Sequence, residues 1–448
     1  MMWKRRSVLG AGLAGGAALV LPGCVASKAD KSGFITRQGS KLLRGDEPYR
    51  ITGANMWYAA WLGADTEYGD RARLMRELDR LKATGINNLR IMASAEEGPL
   101  MNSIKPGFTH ADGTANKALF EGLDFAMAEI AKRDMTAVLA LSNFWEWSGG
   151  LQTLLWRITG EYVDNGDPDH PWPEYGDATA QFYTNEAARA LYNEHLDAMV
   201  GRTNSVTGKS YADDPAVMSW QLANEPRPGG SDAMIEKTKD AYYDWIDASF
   251  ARIRALDPNH LVSLGQEGTT SANGNEEIVL RAHANADYLT AHIWPLNWGW
   301  VKGDDLAGTW ATGEKNTRDY IAVHQRLATQ ADKPLIIEEF GFPRDGEKYS
   351  PDVPTTFRQR FYGEIYSAVE KSWTDGGPLI GSNFWAWNGE ARAKHEDFRF
   401  VNGDGAYMGD PPHEPQGWYG NFDTDADMLA LVKANADLAQ SLASKAEG

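Results

Sequence analysis

The stretch Asp214-Pro215-Ala216-Val217-Met218-Ser219-Trp220-Gln221-Leu222-Ala223-Asn224-Glu225-Pro226-Arg227 decides the reading of the fold. Asp214-Pro215 is turn chemistry, Val217 onward is a short apolar run, and the run ends on an amide, a carboxylate and a proline. An apolar run of this length reads as a strand covered on both faces. Its polar end is costly in a core unless those groups have partners or chemistry. Working outward, Val217–Glu225 is one of eight such runs. The others are Arg50–Trp57, Ile86–Met92, Met135–Asn143, His260–Glu267, Asp287–Ile293, Pro334–Glu339 and Leu379–Trp387. Helical spacing fills the intervals. Leu74, Leu78 and Leu81 share a face in the first, Phe361, Ile365 and Val369 in the seventh, and Gly85 stops the first before its strand. Eight strand–helix units in strict alternation predict an α/β fold, a (β/α)8 TIM barrel, as one domain with long βα loops. Residues 34–49, with Gly39-Ser40 and Gly45-Asp46, predict a small hairpin closing the barrel floor.

Chemistry in such barrels sits at the carboxyl ends of the strands. Here those ends carry Asn55, Arg90, Asn143, Asn224-Glu225, Gln266-Glu267, His292 with Trp294, Glu338-Glu339 and Asn383 to Trp387. Period-two alternation puts Glu225 on the face of Ala223, with Trp220 and Leu222 toward the helix layer. The same rule puts Glu339 with Leu335 and Ile337, so that Glu339 points to the mouth and Glu338 away.

Composition narrows the function classes. Lys and Arg number 44 against 62 Asp and Glu, a formal net charge of −18, which argues against a nucleic-acid partner and suits a neutral ligand. The 45 Gly and 20 Pro are too few and too scattered for a collagen or a disordered linker. One Cys permits no intrachain disulfide and no Cys-based zinc site. Trp, at 17, equals Tyr and exceeds Phe, a surplus that needs a use.

The first residues read as an address label. Lys4, Arg5 and Arg6 precede a short Ala/Gly/Leu/Val run that is too glycine-rich to span a membrane, and no other segment could span one. Arg5-Arg6-Ser7-Val8-Leu9 resembles a twin-arginine signal, and Leu21-Pro22-Gly23-Cys24 resembles a lipoprotein cleavage box. Residues 1–23 are thus expected to be an export signal, Cys24 a lipid attachment point, 24–33 a tether and 34–448 the barrel. Loss of three positive charges with the signal takes the mature chain from −18 to −21. The expected location is the periplasm or, through the lipid, the outer membrane of a Gram-negative bacterium, with the barrel a monomer.

Two inward carboxylates from the fourth and seventh strands suit glycoside hydrolysis, where one is protonated to serve the leaving oxygen and the other ionised to attack. Arg90 would hold Glu339 ionised, while burial and the neighbouring charge would raise Glu225. Pyranose rings stack on aromatic planes, which gives Trp145, Trp147, Trp294, Trp298, Trp300, Trp385 and Trp387, all at or after strand ends, a use.

The stretch Ala212 to Arg227 resembles the fourth-strand signature of glycoside hydrolase family 5, in its β-mannanase subfamily. Phe182-Tyr183-Thr184-Asn185, Arg202-Thr203-Asn204, Ser142-Asn143-Phe144-Trp145 with Gly149-Gly150, and Lys333 to Gly341 are similar to that subfamily as well, across residues 34 to 390. The resemblance implies a retaining, cofactor-free and metal-free hydrolase of β-1,4-mannosidic bonds in mannan and manno-oligosaccharides. It makes Glu225 the acid/base and Glu339 the nucleophile, with Arg90 steadying the nucleophile and Asn224 on the hydroxyl beside the reacting carbon. It also implies substrate contacts at Asn143, Trp145, Arg227, His292, Trp294 and Trp385. The retaining mechanism implies carboxyl groups about 5–5.5 Å apart.

Two departures stand out. Trp294 occupies a position where the family commonly has Tyr, and an indole N–H can donate but not accept. Residues 151–181, with Trp156, Arg157 and Trp172, exceed the length expected of an endo-acting enzyme, and are expected to shorten the non-reducing end of the cleft and favour release of single mannose units. Alternatives are an endo-1,4-β-mannanase, a family 5 cellulase or transglycosylase, and a non-catalytic carbohydrate-binding lipoprotein. Asp164, Asp167 and Asp169 lack the spacing of a calcium loop, the His residues form no zinc motif, and Glu267 is either a cleft residue or a structural ion pair.

Overall fold

The structure is a computed structural model and describes residues 33–444. The expected signal at 1–23, Cys24 and nearly all of the tether lie outside the described residues. The described chain starts with a three-stranded antiparallel meander, β1 (Ile35–Gln38), β2 (Lys41–Arg44) and β3 (Glu47–Pro48). Eight parallel strands follow: β4 (Ile51–Asn55), β5 (Asn88–Met92), β6 (Thr136–Ala140), β7 (Val217–Gln221), β8 (Leu261–Ser263), β9 (Leu289–Ile293), β10 (Leu335–Phe340) and β11 (Leu379–Phe384). They ladder in the order β8-β7-β6-β5-β4-β11-β10-β9. Because β8 is only three residues long, β8 and β9 meet through single bonds, Asp287 N–H to the Val262 carbonyl at 2.9 Å and His292 N–H to the Glu267 carbonyl at 2.9 Å. The eight expected strands are all present; seven are shorter than their apolar runs, and β10 has the expected length one residue further on.

The helix layer is α1 (Ala59–Gly63), α2 (Arg71–Ala83), α3 (Lys117–Lys132), α4 (Gly150–Thr159), α5 (Glu174–Thr179), α6 (Glu186–Val200), α7 (Asp232–Leu256), α8 (Glu276–Ala282), α9 (Leu306–Ala331), α10 (Thr356–Asp375) and α11 (Ala426–Ser444). Side-chain caps start several of them: Asp70 accepts from Arg73 N–H at 2.8 Å, Asn185 from Ala188 N–H at 3.0 Å and Ser231 from Met234 N–H at 3.2 Å. Leu74, Leu78 and Leu81 of α2 and Phe361, Ile365 and Val369 of α10 are buried, as their spacing requires. No helix among the described residues is long and apolar enough to cross a membrane.

Inside the barrel, the amino-terminal layer is apolar. Ile51, Val138, Met218, Leu261, Ile336 and Ile380 form one cluster with Ile35, Leu42 and Tyr49, so the meander does close the floor. Between β11 and α11 a long segment carries a small parallel pair, β12 (Trp387–Gly389) and β13 (Asn421–Phe422). Asp410 ties it together, with Oδ1 accepting from Tyr419 N–H at 2.7 Å, and Oδ2 from Gly417 N–H at 2.8 Å and Asn388 Nδ2 at 3.0 Å. Trp57 Nε1 pins it to the barrel through the Gly409 carbonyl at 2.9 Å.

Candidate active site

Arg90, the middle residue of β5, is 3 % exposed and donates from all three of its guanidinium nitrogens. Nε donates to Gln221 Oε1 at 2.8 Å, Nη1 to Asn55 Oδ1 at 3.2 Å and to Glu339 Oε1, and Nη2 to Asn224 Oδ1 at 2.7 Å. This fixes a nucleophile-type carboxylate and an amide in one plane.

The two glutamates reach the mouth by different backbone devices. Strand β7 ends at Gln221, and Asn224 N–H bonds back to the Ser142 carbonyl at 2.8 Å while Glu225 N–H bonds forward to Gly265 at 2.8 Å. Glu225 sits at φ +52°, a left-handed conformation that a buried glutamate adopts only when its surroundings impose it. Alternation placed Trp220 correctly, since its Nε1 donates outward to Asp257 at 2.8 Å, but it does not place Glu225, which this turn does. On β10 the expected parity is wrong. Ile336 belongs to the interior floor cluster and Glu338 follows it inward, accepting from Gln221 Nε2 at 2.6 Å. A register shift against β9 between Ile337 and Glu339 then brings Glu339 inside as well. Adjacent carboxylates therefore both enter the barrel.

His292 joins the pair. Its Nδ1 lies 2.6 Å from Glu225 Oε1 and 3.3 Å from Glu339 Oε2. A carboxylate oxygen from each glutamate and a His292 nitrogen lie within 4.8 Å of one another, closer than the roughly 6.5–9.5 Å that separates the carboxyl groups of an inverting pair. Among the described residues these three are the one such group of metal-type ligands. Burial pushes both carboxyls up, Glu225 against Arg227 and Glu339 against Arg90, and the Glu225 and Glu267 charges raise Glu339 further, well above the usual carboxylate range. The pair consequently holds one proton against ionisation. Arg90 donates to Glu339 with a charged guanidinium, which favours charge there, whereas Glu225 accepts a neutral indole N–H from Trp145, a weaker support for its ionised form.

Above the pair is a cavity of about 550 Å³ with two walls. On one, Arg227 pairs with Glu267 and lies 5.1 Å from the ring centroids of both Trp145 and Trp172. Glu267 is thus both a cleft residue and an ion-pair partner. Burial raises it to about 8, Arg227 lowering it and the Glu225 charge raising it further. The other wall is Trp385, flanked edge-on by Trp147 and Trp294, with Asn297 held by the Tyr419 hydroxyl. Pro411, His413 and Glu414 complete that side. Burial pushes the Glu414 carboxyl well above its usual range and takes His413, 3.7 Å from it, down to about 4, so it disfavours charge on both.

Other expectations divide. Asn224 lines the cavity, but Asn143 is fully buried behind it, accepting from Asn224 Nδ2 at 3.0 Å and donating to Ser148 Oγ at 3.0 Å, so it positions rather than touches. Gly149 and Gly150 permit this packing, because a Cβ on Gly150 would fall 2.1 Å from the Asn143 carbonyl. Trp294 lines the cavity, and its indole N–H lowers Glu225 against the burial that raises it. Trp298 lines the cavity, while Trp387 is core, donating to Glu77 at 2.6 Å. Residues 151–181 hold α4 and α5 at their two ends, with a loop at 160–173 between them. From them only Asn165 and Trp172 reach the cavity, and Trp172 stands on the Glu225 wall; Trp156 and Arg157 face a separate cavity with Glu96 and His195. The Asp164 carboxylate is occupied by Met101 N–H at 2.7 Å and Gly166 N–H at 2.9 Å. The residues that close the Trp385 side, Pro411 to Glu414, escaped the sequence reading. Their signal was length: about forty residues between the last barrel strand and the last helix, punctuated by Pro411-Pro412 and Pro415.

Comparison with known proteins agrees with this geometry. Residues 32–443 match the family model described as GH family 5 beta-mannosidase-like. The chain is 32 % identical to a glycoside hydrolase family 5 mannosidase from Rhizomucor miehei, covering 93 % of this chain and 99 % of that one with a TM-score of 0.82. It is 28 % identical to mannan endo-1,4-beta-mannosidase 1 of Arabidopsis thaliana, over 80 % of this chain and 82 % of the relative. The endo-1,4-beta-mannanase of Rhizomucor miehei shares the fold, at 21 % identity and a TM-score of 0.65.

Proposed function

The chain belongs to the β-mannosidase-like proteins of glycoside hydrolase family 5, and on that premise we propose that it removes single mannose units from the non-reducing ends of β-1,4-linked manno-oligosaccharides, acting as a monomer. The observation that carries the exo mode is the wall beyond Trp385. Pro411, His413 and Glu414, anchored through Asp410, Asn388 and Trp57, line the cavity with Trp385, and on this reading they stop a longer chain from continuing past the sugar on that platform. Beside Glu225 the cavity instead offers Trp145, Trp172 and Arg227, and Trp172 is 44 % exposed, an open aromatic surface for the leaving sugars.

In the first step the Glu339 carboxylate attacks the anomeric carbon while Glu225 passes its proton to the departing glycosidic oxygen, leaving a mannosyl ester on Glu339. Water then attacks the same carbon, gives its proton to Glu225, and releases mannose and the Glu339 carboxylate. Arg90 orients the nucleophile, Asn224 faces the neighbouring hydroxyl, and Trp385 underlies the ring. Short early digests of mannohexaose test the mode: mannose and mannopentaose are expected, and a ladder of mid-sized products would assign endo action, which the curated relatives' names favour. The proposal extends to export and lipid attachment at Cys24. Labelled palmitate should enter the native chain and not the Cys24→Ser variant.

A further inference from the structure

Beneath the reacting pair lies a second buried carboxylate, which the double-displacement reading leaves without a task. Glu338 Oε2 accepts from Gln221 Nε2 at 2.6 Å, lies 3.8 Å from Arg90 Nε, and lies 3.9 Å from His292 Nε2. Glu338 Oε1 has no hydrogen-bond partner, and neither has His292 Nε2. Between the neighbouring strands β10 and β9, a buried ring nitrogen without a hydrogen-bond partner therefore faces a buried carboxylate that is only half satisfied. Both are 1 % exposed or less.

His292 is neutral, since burial lowers it to about 4 with the Glu338 contact opposing, so it carries one N–H. Two tautomers are available, with opposite consequences for Glu225. With the proton on Nε2, the ring presents a lone pair at Nδ1, and the 2.6 Å contact to Glu225 requires that carboxyl to donate, which is its acid form. With the proton on Nδ1, the ring donates to Glu225 and favours its ionised form. The Nδ1 side faces Glu225 and Glu339, the Nε2 side faces Glu338, and Arg90 and Arg227 act on the ring from β5 and from the cleft wall. Glu225 itself also meets Arg227, Arg90 and the indole N–H groups of Trp145 and Trp294. Glu338 is the one carboxylate on the Nε2 side.

We propose that Glu338 is a positioning residue that draws the His292 proton to Nε2 and, through that tautomer, holds Glu225 ready to donate. This rests on the glycosidase reading for its consequence in catalysis, but the tautomer is a property of the free protein. Gln221 couples the device to the nucleophile side, because it joins Glu338 to Arg90. The same bulge that delivers Glu339 makes it possible, by leaving two successive glutamates inside the barrel.

Glu338→Gln keeps the shape and removes the charge; Glu338→Asp keeps the charge. Nitrogen-15 histidine spectra should show His292 protonated at Nε2 in the native enzyme and in Glu338→Asp, and at Nδ1 in Glu338→Gln. For Glu338→Gln, kcat/KM on mannobiose, whose leaving group needs protonation, should fall at least about 30-fold. On 2,4-dinitrophenyl β-mannoside, whose leaving group needs none, the change should stay within about threefold. Glu338→Asp should recover most of the mannobiose loss. An Nδ1 proton in the native enzyme, one tautomer throughout, or equal losses on both substrates would overturn the proposal. If the glycosidase reading itself fails, neither substrate is turned over and the spectra still decide. If Glu338→Gln does not fold, the native and Glu338→Asp spectra carry the test.

Discussion

At the amino-terminal end of the barrel, Ile51, Val138, Met218, Leu261, Ile336 and Ile380 fill the interior, and Ile35, Leu42 and Tyr49 cover them. At the carboxyl end the same strands bring Asn55, Arg90, Gln221, His292, Glu338 and Glu339 into an interior that is just as dry. The floor is held by area removed from water, and any well-packed aliphatic set would serve. The mouth is held by directed bonds between groups that are individually costly to bury, and removing one partner leaves another uncompensated. One end therefore supplies stability that the other consumes, and substitutions at the two ends should separate folding from chemistry.

The sharpest separation is expected at the glutamates. Glu225→Ala and Glu339→Ala should each lower turnover of manno-oligosaccharides at least about 10,000-fold with the fold intact by circular dichroism. Azide should restore the first as a β-mannosyl azide and the second, if at all, as the α-anomer; identical behaviour of both would dissolve the assignment of roles. Ile336→Ala should do the reverse. It should cost about 2–5 kcal/mol in denaturant melts while kcat/KM per folded molecule stays within twofold.

A third test lies on the loop beneath the cleft. Glu146, between Trp145 and Trp147, accepts only from Asn165 Nδ2 at 3.3 Å, and burial raises it from 4.5 to about 7. A carboxyl whose folded value is raised costs nothing below its unfolded value and destabilises progressively as pH climbs to the folded one. Glu146→Gln should thus match the native protein near pH 4.5 and exceed it by about 1–3 kcal/mol above pH 7. A constant difference across that range would mean that Glu146 is already ionised in the fold. The smallest effect is expected from Trp172→Ala. It should raise KM about fivefold for mannotetraose and leave aryl mannosides unchanged, because only the longer leaving group reaches that ring.

How much of this was legible in the sequence depends on which physics placed each residue. The eight strands were readable because burial on both faces demands continuous apolar runs, and Glu225 and Glu339 because costly groups at strand ends demand a reason. Glu338 was misread because period two holds only while the ladder is regular, and the shift between Ile337 and Glu339 has no signature in Leu335 to Phe340. Asn143 was read as a sugar contact because its motif points to the mouth, whereas its side chain is used up behind Asn224. His413 and Glu414 were invisible for a different reason. Their place on the wall is set by the Asp410 network and the Trp57 anchor, contacts between segments more than 300 residues apart in the case of Trp57 and Gly409. Local pattern cannot report such contacts.

The central claim is that Glu339, steadied by Arg90 and paired with Glu225, forms the covalent link to the departing mannose unit. Incubation with 2-deoxy-2-fluoro-β-mannosyl fluoride, followed by proteolysis and mass mapping, tests it directly. The account predicts one added fluoromannosyl group, on Glu339, in the native enzyme and none in Glu339→Gln. A label on Glu225, Glu267 or Glu338, or turnover without any trapped ester, would contradict it.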